Sequence, residues 1–194
     1  MPPEDFIINI YCLVDDRLLK LLKNKKLRQR GFAPKLSDSE VITMEIVGEF
    51  LGKAADKGIW TYFKTHWFHL FPKLGSRANF AKQSSNLWQV KKSMQTMQAY
   101  RLGAFGDDIH MADGLPMSSV HFKRAPSSKL FQTEASDGYC ALKAETYYGF
   151  KGNICMSSEG IVTAANVDER LSLYETAQGI SGLLLADKGL IGEE

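Results

Sequence analysis

The most constraining stretch of this 194-residue chain lies near its C-terminus, where an apolar run leads directly into an acid. Leu183–Ala186 is short and continuously apolar, which predicts a buried strand. Asp187 follows it at once, before Lys188 and Gly189. An acid at the end of such a strand, next to a turn that glycine permits, is where an α/β protein presents a carboxylate to a ligand or metal ion.

A second acid, Asp113, follows a similar stretch 74 residues earlier. Ile109–Asp113 is predicted to be a strand that Gly114 and Pro116 end, with 117–120 as a continuation. A helix predicted over 166–177 precedes the last strand, which can therefore return parallel to the first. The two acids would then end neighbouring strands. Taken singly, each also has the simpler interpretation of a turn or cap residue.

The segment between these acids is predicted to be rich in strands. The predicted elements are an exposed loop at 123–135, a turn at Ser136-Asp137-Gly138, strands at Lys143–Lys151 and Asn153–Ser157, and a hairpin turn at 158–160 before a strand at Ile161–Ala165.

The first 104 residues are predicted to be helical. One helix is expected over Phe6–Arg30, a second from the capping box that Ser37 begins, and a third from about Ser76 to Leu102. The aromatic stretch from Trp60 to Phe71 is interpreted as packed core, with an exposed base-stacking platform as the alternative.

Charge divides the chain in the same way. Residues 1–106 carry 17 Lys/Arg and 9 Asp/Glu, a balance of +8, whereas residues 107–194 carry 7 and 13, a balance of −6. We therefore expect a basic helical domain at 1–104, which binds a polyanion such as DNA, and an acidic domain at 105–194. Six cations cluster at the end of the first predicted helix, either as a solvated face or as a phosphate-contacting surface: Lys20, Lys23, Lys25, Lys26, Arg28 and Arg30.

Several classes of protein are disfavoured by composition. The chain has no apolar run of about 18 residues, so no membrane span is predicted. Its acidic N-terminus has no signal-peptide pattern. Cys12, Cys140 and Cys155 lack CxxC spacing, which is typical of reduced thiols in a cytoplasmic protein.

Paired carboxylates indicate a particular chemistry. Acids brought close together repel each other, and a divalent cation relieves that repulsion. Two Mg²⁺ ions about 4 Å apart can activate an attacking oxygen and stabilise a leaving oxygen in phosphoryl transfer. Mg²⁺ needs few protein ligands, since it keeps waters and substrate phosphates. Two or three acids on an open sheet would suffice.

Four motifs in order resemble the DDE domain of bacterial insertion-sequence transposases. They are Asp113-Gly114-Leu115-Pro116, Tyr148-Gly149-Phe150-Lys151-Gly152, Asn166-Val167-Asp168-Glu169-Arg170 and Asp187-Lys188-Gly189-Leu190-Ile191-Gly192. The start of the second predicted helix, Leu36–Val41, is also similar to the helical N-terminal region of that group.

The resemblance implies an α+β or α/β chain in which a helical domain precedes an incomplete ribonuclease H-like mixed sheet. It implies Mg²⁺- or Mn²⁺-dependent cleavage and joining of double-stranded DNA at insertion-sequence ends, by a homodimer. Asp113 and Asp187 would be its metal-binding catalytic acids, and Lys151, Arg170 and Lys188 would contact DNA.

The family's third acid, a glutamate on a later helix, has no counterpart. Glu193 and Glu194 come only six and seven residues after Asp187. Leu190 also stands where the family usually has tyrosine. We therefore expect a transposase truncated at its C-terminus, weakly active and poorly soluble because sheet surface stays uncovered. A non-catalytic DNA-binding remnant and a ribonuclease H-like nuclease are the alternatives.

Overall fold

The chain divides into two compact units, Met1–Gln95 and Thr96–Glu194. The computed structural model describes residues 1–23, 25, 27–28, 31–53, 55–140, 143–166 and 177–186. The predicted domain boundary between residues 104 and 105 stays a prediction.

The first unit is helical. Its helices are α1 (Pro3–Leu22), α2 (Asp38–Phe50), α3 (Asp56–His66), α4 (Arg77–Asn86) and the beginning of α5 (Trp88–Arg101). The predicted capping box begins α2: the Ser37 hydroxyl accepts a hydrogen bond from the Glu40 N–H at 3.1 Å, and the Glu40 carboxylate accepts one from the Ser37 N–H at 2.6 Å. These reciprocal bonds satisfy donors that the helix itself leaves unpaired.

The aromatic stretch forms part of the core of this unit, as expected. Phe63 is fully buried and packs edge-to-face on Phe71, with ring centroids 5.0 Å apart. Trp60 and Trp67 are partly buried against the same core. The alternative of an exposed base-stacking platform is therefore wrong for these rings.

Two helix predictions were wrong at their boundaries. Helix α1 ends at Leu22 and not at Arg30, and Lys23 takes the left-handed conformation with φ 45°. The next three residues, 24–26, are polar or charged in sequence, and packing of an apolar face supplies most helix stability. The helix predicted over 76–102 is two helices, because the Ser84-Ser85-Asn86 run favours a turn before the buried Leu87.

The second unit contains a mixed sheet. Its strands are β1 (Ile109–Val120), β2 (Ser136–Cys140), β3 (Glu145–Ser157), β4 (Val162–Asn166) and β5 (Leu183–Ala186). β1 pairs antiparallel with β3 on one side and parallel with β5 on the other. β2 and β4 both pair antiparallel with β3.

β1 is longer than predicted, because Gly114 and Pro116 do not end it. The Ile109 carbonyl accepts from Ser158 on the β3 side, and the Asp108 carbonyl accepts from Leu183 on the β5 side. The backbone N–H and C=O groups of successive strand residues point to opposite edges of the strand. The backbone of Pro116 therefore points to the β5 edge. The pairing with β5 stops at Ala112, so the missing N–H of proline interrupts no described ladder.

The strands around β3 also differ from the sequence prediction. Ser136-Asp137-Gly138 is not a turn but the beginning of β2, paired with the residues 147–149. The two strands predicted at 143–151 and 153–157 form the single strand β3. The hairpin turn at 158–160 is as predicted, and so are the bounds of the last strand, Leu183–Ala186. The prediction that this strand is buried was wrong, because Leu183 and Leu185 are exposed. The predicted helix at 166–177 lies almost wholly outside the described residues.

The predicted fold class is confirmed: a helical N-terminal region precedes a mixed sheet of five strands, consistent with an incomplete ribonuclease H-like α+β fold. Within the described part of the chain, no helix is long and apolar enough to cross a membrane.

Candidate active site

Asp113 lies in the middle of β1, opposite Ile154 of β3. Its side chain is exposed, and one carboxylate oxygen accepts a hydrogen bond from the Gly114 N–H at 2.8 Å. No other partner of this carboxylate occurs among the described residues. The strand therefore holds the Asp113 carboxylate in solvent.

The described parallel pairing of β1 with β5 reaches the residues immediately before the two predicted acids. Ala112 is the register partner of Ala186, and each is followed in the chain by one of the acids, Asp113 or Asp187. Asp187 itself lies outside the described residues. The described register thus brings the two chain segments together up to the last residue before each acid.

The sheet face that carries Asp113 is apolar and open. Side chains alternate between the faces of a strand, so Asp113 shares its face with Ile109 and Met111, and both are exposed. Leu183 and Leu185 pair with these two residues in parallel register and are exposed as well. Because this face is exposed, the Asp113 carboxylate is accessible to a large ligand.

The opposite face is closed. His110, Ala112 and Asn153 are buried there. A Cβ on Gly114 would lie 3.0 Å from Cε of Lys151, so the lysine stem occupies the space that a side chain at 114 would fill. Lys151 is therefore placed beside the first motif but over the face opposite to Asp113.

The start of β1 is fastened to the hairpin between β3 and β4. The Asp107 carboxylate accepts hydrogen bonds from the Ser158 N–H at 2.8 Å and from the Ser158 hydroxyl at 2.6 Å. These bonds, the hydroxyl's first, lower the pKa of Asp107 below its ordinary value of 3.8. The carboxylate thus stays charged and holds the strand that carries Asp113.

Residues 104–194 match the model of a family described as transposase DDE domain. This part of the chain is similar to a transposase DDE domain. The resemblance seen in its four motifs is confirmed by that match. Neither a curated protein nor a solved structure matched the chain. The family makes DNA the substrate and a DNA-processing enzyme the class of function, with divalent metals as its general cofactors.

The donors of the transposase domain fit such a metal as far as they are described. Aspartate oxygens are the hard ligands that Mg²⁺ takes, and the exposed carboxylate of Asp113 leaves room for waters and substrate phosphates. Within residues 1–23, 25, 27–28, 31–53, 55–140, 143–166 and 177–186, no group of three or more His, Cys, Asp or Glu residues could hold a metal ion.

The basic residues predicted to contact DNA have different surroundings. Lys20 is the only described member of the N-terminal cluster inside a helix, and it pairs with Asp16 at 2.8 Å. Arg28 forms two hydrogen bonds with Asp38, at 2.7 and 2.6 Å. Lys23 and Lys25 follow α1. The remaining predicted contacts, Lys26, Arg30, Arg170 and Lys188, lie outside the described residues.

Two exposed lysines were missed by sequence reasoning. Lys35 and Lys73 line one cleft of the first unit together with Lys82, which sequence reasoning noted only as part of the overall basic charge. Lys35 and Lys73 are 38 residues apart and form no cluster in sequence. The only local signal is that each lysine follows a proline, which indicates an irregular segment but not a binding site.

Proposed function

We propose that the chain is a DDE-type transposase that cleaves and joins DNA strands at insertion-sequence ends. In this proposal Asp113 and Asp187 together hold Mg²⁺, or Mn²⁺ in its place. The observation that carries it is the parallel register of Ala112 with Ala186, the residues that immediately precede the two acids.

The alternation of side chains between the two faces of each strand supports a site shared by Asp113 and Asp187. Met111 and Leu185 are register partners, and partners in a parallel pair have their side chains on the same face. Asp113 comes two residues after Met111, and Asp187 two residues after Leu185. We propose that β5 continues by one residue in the same register, which would place both carboxylates on the open face.

The bound metal would supply an activated attacking oxygen and charge stabilisation at the leaving oxygen. The chain's own contribution is to hold the metal at two carboxylates and to position the DNA. Lys151 lies within β3, on the face opposite to Asp113, whereas Arg170 and Lys188 follow β4 and β5 in sequence. We propose that all three contact phosphates as the DNA backbone passes the sheet. Cations bind phosphate by charge-assisted hydrogen bonds, which fix the backbone without reading its sequence.

The proposal includes a double-stranded DNA substrate, a homodimer during transposition and a cytoplasmic location, where bacterial DNA lies. Lys20, Lys23, Lys25, Lys26, Arg28 and Arg30 remain proposed backbone contacts. Of these, Lys20 and Arg28 are held by carboxylates, so we expect the smallest loss of binding when either is replaced.

Replacing either acid tests the proposal. The substrate is a plasmid that carries the DNA flanking the gene, incubated with Mg²⁺ or with EDTA. We expect Asp113→Asn and Asp187→Asn each to reduce strand cleavage by at least about 100-fold, since loss even of an outer-shell partner of a metal costs about 10–100-fold. Both variants should bind the same DNA as the unchanged chain does in EDTA.

Asp137→Asn is the matched control. Asp137 is exposed on β2 and pairs across to Tyr148, away from the end of β5, so its loss should leave cleavage unchanged. If the chain binds DNA but cleaves none under any condition, the non-catalytic alternative replaces the proposal. Full cleavage and joining by this chain would contradict the prediction of weak activity.

A further inference from the structure

The first unit contains a cleft with an unbalanced charge. It has a volume of about 350 Å³ and lies between the segment 31–36 and helix α4. Lys35, Lys73 and Lys82 line it and are all exposed. Among the described residues no Asp or Glu lines the cleft, and none of these three lysines has an ion-pair partner. A concave surface with one sign of charge concentrates the opposite charge.

The cleft is built on a partly buried polar network. Asp38 accepts two hydrogen bonds from Arg28 and one from the Gln83 side-chain amide at 2.8 Å. The same amide donates to the carbonyl of the buried Leu36 at 3.1 Å. These bonds tie the segment 31–36 to α4. The hydrogen bonds that Arg28 donates to Asp38 raise the pKa of Arg28. The negative charge of Asp38 balances this cation, so the lysines supply the free charge.

The side of the cleft that Gly75 and the start of α4 form is also held by hydrogen bonds. The Trp60 indole N–H donates to the Gly75 carbonyl at 3.0 Å, and the Ser76 hydroxyl caps α4 by accepting from the Asn79 N–H at 3.3 Å. Both walls of the cleft are therefore set before a ligand arrives, so ordering them costs little binding free energy.

An aromatic side chain lies at the cleft and has no packing partner among the described residues. Phe32 lines it and is fully exposed to solvent. Exposed aromatic rings beside a basic groove are the combination by which proteins bind single-stranded nucleic acid: lysines follow the phosphates, and the ring stacks on a base. A duplex offers no free base face to such a ring.

We propose that this cleft binds a short single-stranded segment of DNA, with its phosphates on Lys35, Lys73 and Lys82 and one unpaired base stacked on Phe32. The volume lies at the lower end of the range for small-ligand pockets, about 300–1,000 Å³, and so suits one nucleotide of a strand better than a duplex. The inference rests on the proposed function for its choice of DNA as ligand. The inference adds that the preferred form of this DNA has unpaired bases, either at a strand end or in a bubble.

Fluorescence anisotropy with the full chain tests this, using a labelled oligothymidylate of about twelve nucleotides and its duplex with oligoadenylate. The measurements are made in EDTA, so that they do not depend on metal at Asp113. We expect tighter binding of the single strand than of the duplex. Replacing Lys35, Lys73 and Lys82 together by Gln should weaken single-strand binding at least about tenfold and reduce the salt dependence by about two units of log–log slope, at about 0.7 per phosphate contact.

The matched control replaces Lys53, Lys57 and Lys64 by Gln, which removes the same charge from α3 and the loop before it. We expect that variant to bind nearly as the unchanged chain does. Phe32→Ala should weaken binding of the single strand about tenfold and leave duplex binding unchanged, whereas Phe68→Ala, which removes another exposed ring, should change neither.

Three results would overturn the inference. The first is an equal loss of binding in the two lysine triples, since the effect would then be net charge alone. The second is tighter binding of the duplex, and the third is no effect of Phe32→Ala, since in either case no base would be stacked on the ring. Circular dichroism of each variant separates lost binding from lost folding. Asp113→Asn should bind as the unchanged chain does, so failure of the cleft and failure of the catalytic site give different results.

Discussion

At the scale of single residues, Asp107 has the best-defined electrostatic role in the second unit. Its pKa is lowered by the two hydrogen bonds from Ser158. A carboxylate with a lowered folded-state pKa contributes stability that is fully present above its unfolded value, 3.8, and is lost as pH falls through the folded-state pKa. We expect Ser158→Ala to destabilise the chain at neutral pH and to have little effect below that lower pKa.

Urea unfolding of the unchanged chain and of Ser158→Ala, at pH values from neutral to acid, measures this difference. Ser181→Ala serves as a control, because the Ser181 hydroxyl donates to the Phe105 carbonyl, which does not titrate. A difference for Ser158→Ala that stays constant with pH would show that Asp107 is not the partner responsible.

The same scale shows which residues the sequence alone can propose for a site. Asp113 could be proposed because it ends a predicted strand and because its neighbours form an ordered motif. Lys35 and Lys73 could not, since only the packing of the segment 31–36 against α4 makes them neighbours of Lys82. Phe32 was not identifiable either, because exposure of an aromatic residue in a loop has no local sequence signal.

At the scale of elements, β1 depends on a close approach at Gly149. The register of β1 against β3 shifts between Ser118 and Val120, so Ser119 is an extra residue, a β-bulge. A Cβ on Gly149 would overlap the Met117 carbonyl oxygen and lie 2.8 Å from the Ser119 nitrogen. Because those atoms belong to the backbone, no rotamer change can relieve the contact.

We therefore expect Gly149→Ala to destabilise the second unit by about 1–3 kcal/mol or more, the usual cost of overpacking. Chemical denaturation followed by tyrosine fluorescence and circular dichroism measures it. Gly106→Ala is the control, since a Cβ there meets nothing within 4 Å. Equal stability of the two variants would mean that the bulge is not held as described.

Element boundaries were predictable where a local signal sets them and not where pairing sets them. The capping box placed the start of α2, because its hydrogen bonds are local. Ser136-Asp137-Gly138 has the composition of a turn, yet it is a strand, because β3 offers it a free edge to pair with. Gly152 looked like a break between two strands, but pairing with Leu115 carries β3 through it.

At the scale of the whole molecule, the helical half and the sheet half were separable in sequence because both periodicity and charge change near the same place. The sheet face that carries Met111 and Leu185 is exposed. The pairing partners within the sheet were harder to predict, since β1 pairs with strands that follow it by 25 and 63 residues.

From the core of the first unit we predict that the fragment 1–95 folds on its own. The buried hydrophobic residues of that core run from Ile7 to Val90, and Met94 packs against it. A fragment ending at Gln95 keeps these anchors although it cuts α5. We expect it to be helical by circular dichroism and to unfold cooperatively on heating. The fragment 1–86 loses Leu87, Val90 and Met94, each contributing up to about 1.5–3 kcal/mol if fully buried, and should unfold at a much lower temperature. An unfolded 1–95 fragment, or equal melting of the two, would mean that the first unit takes its stability from residues beyond its own core.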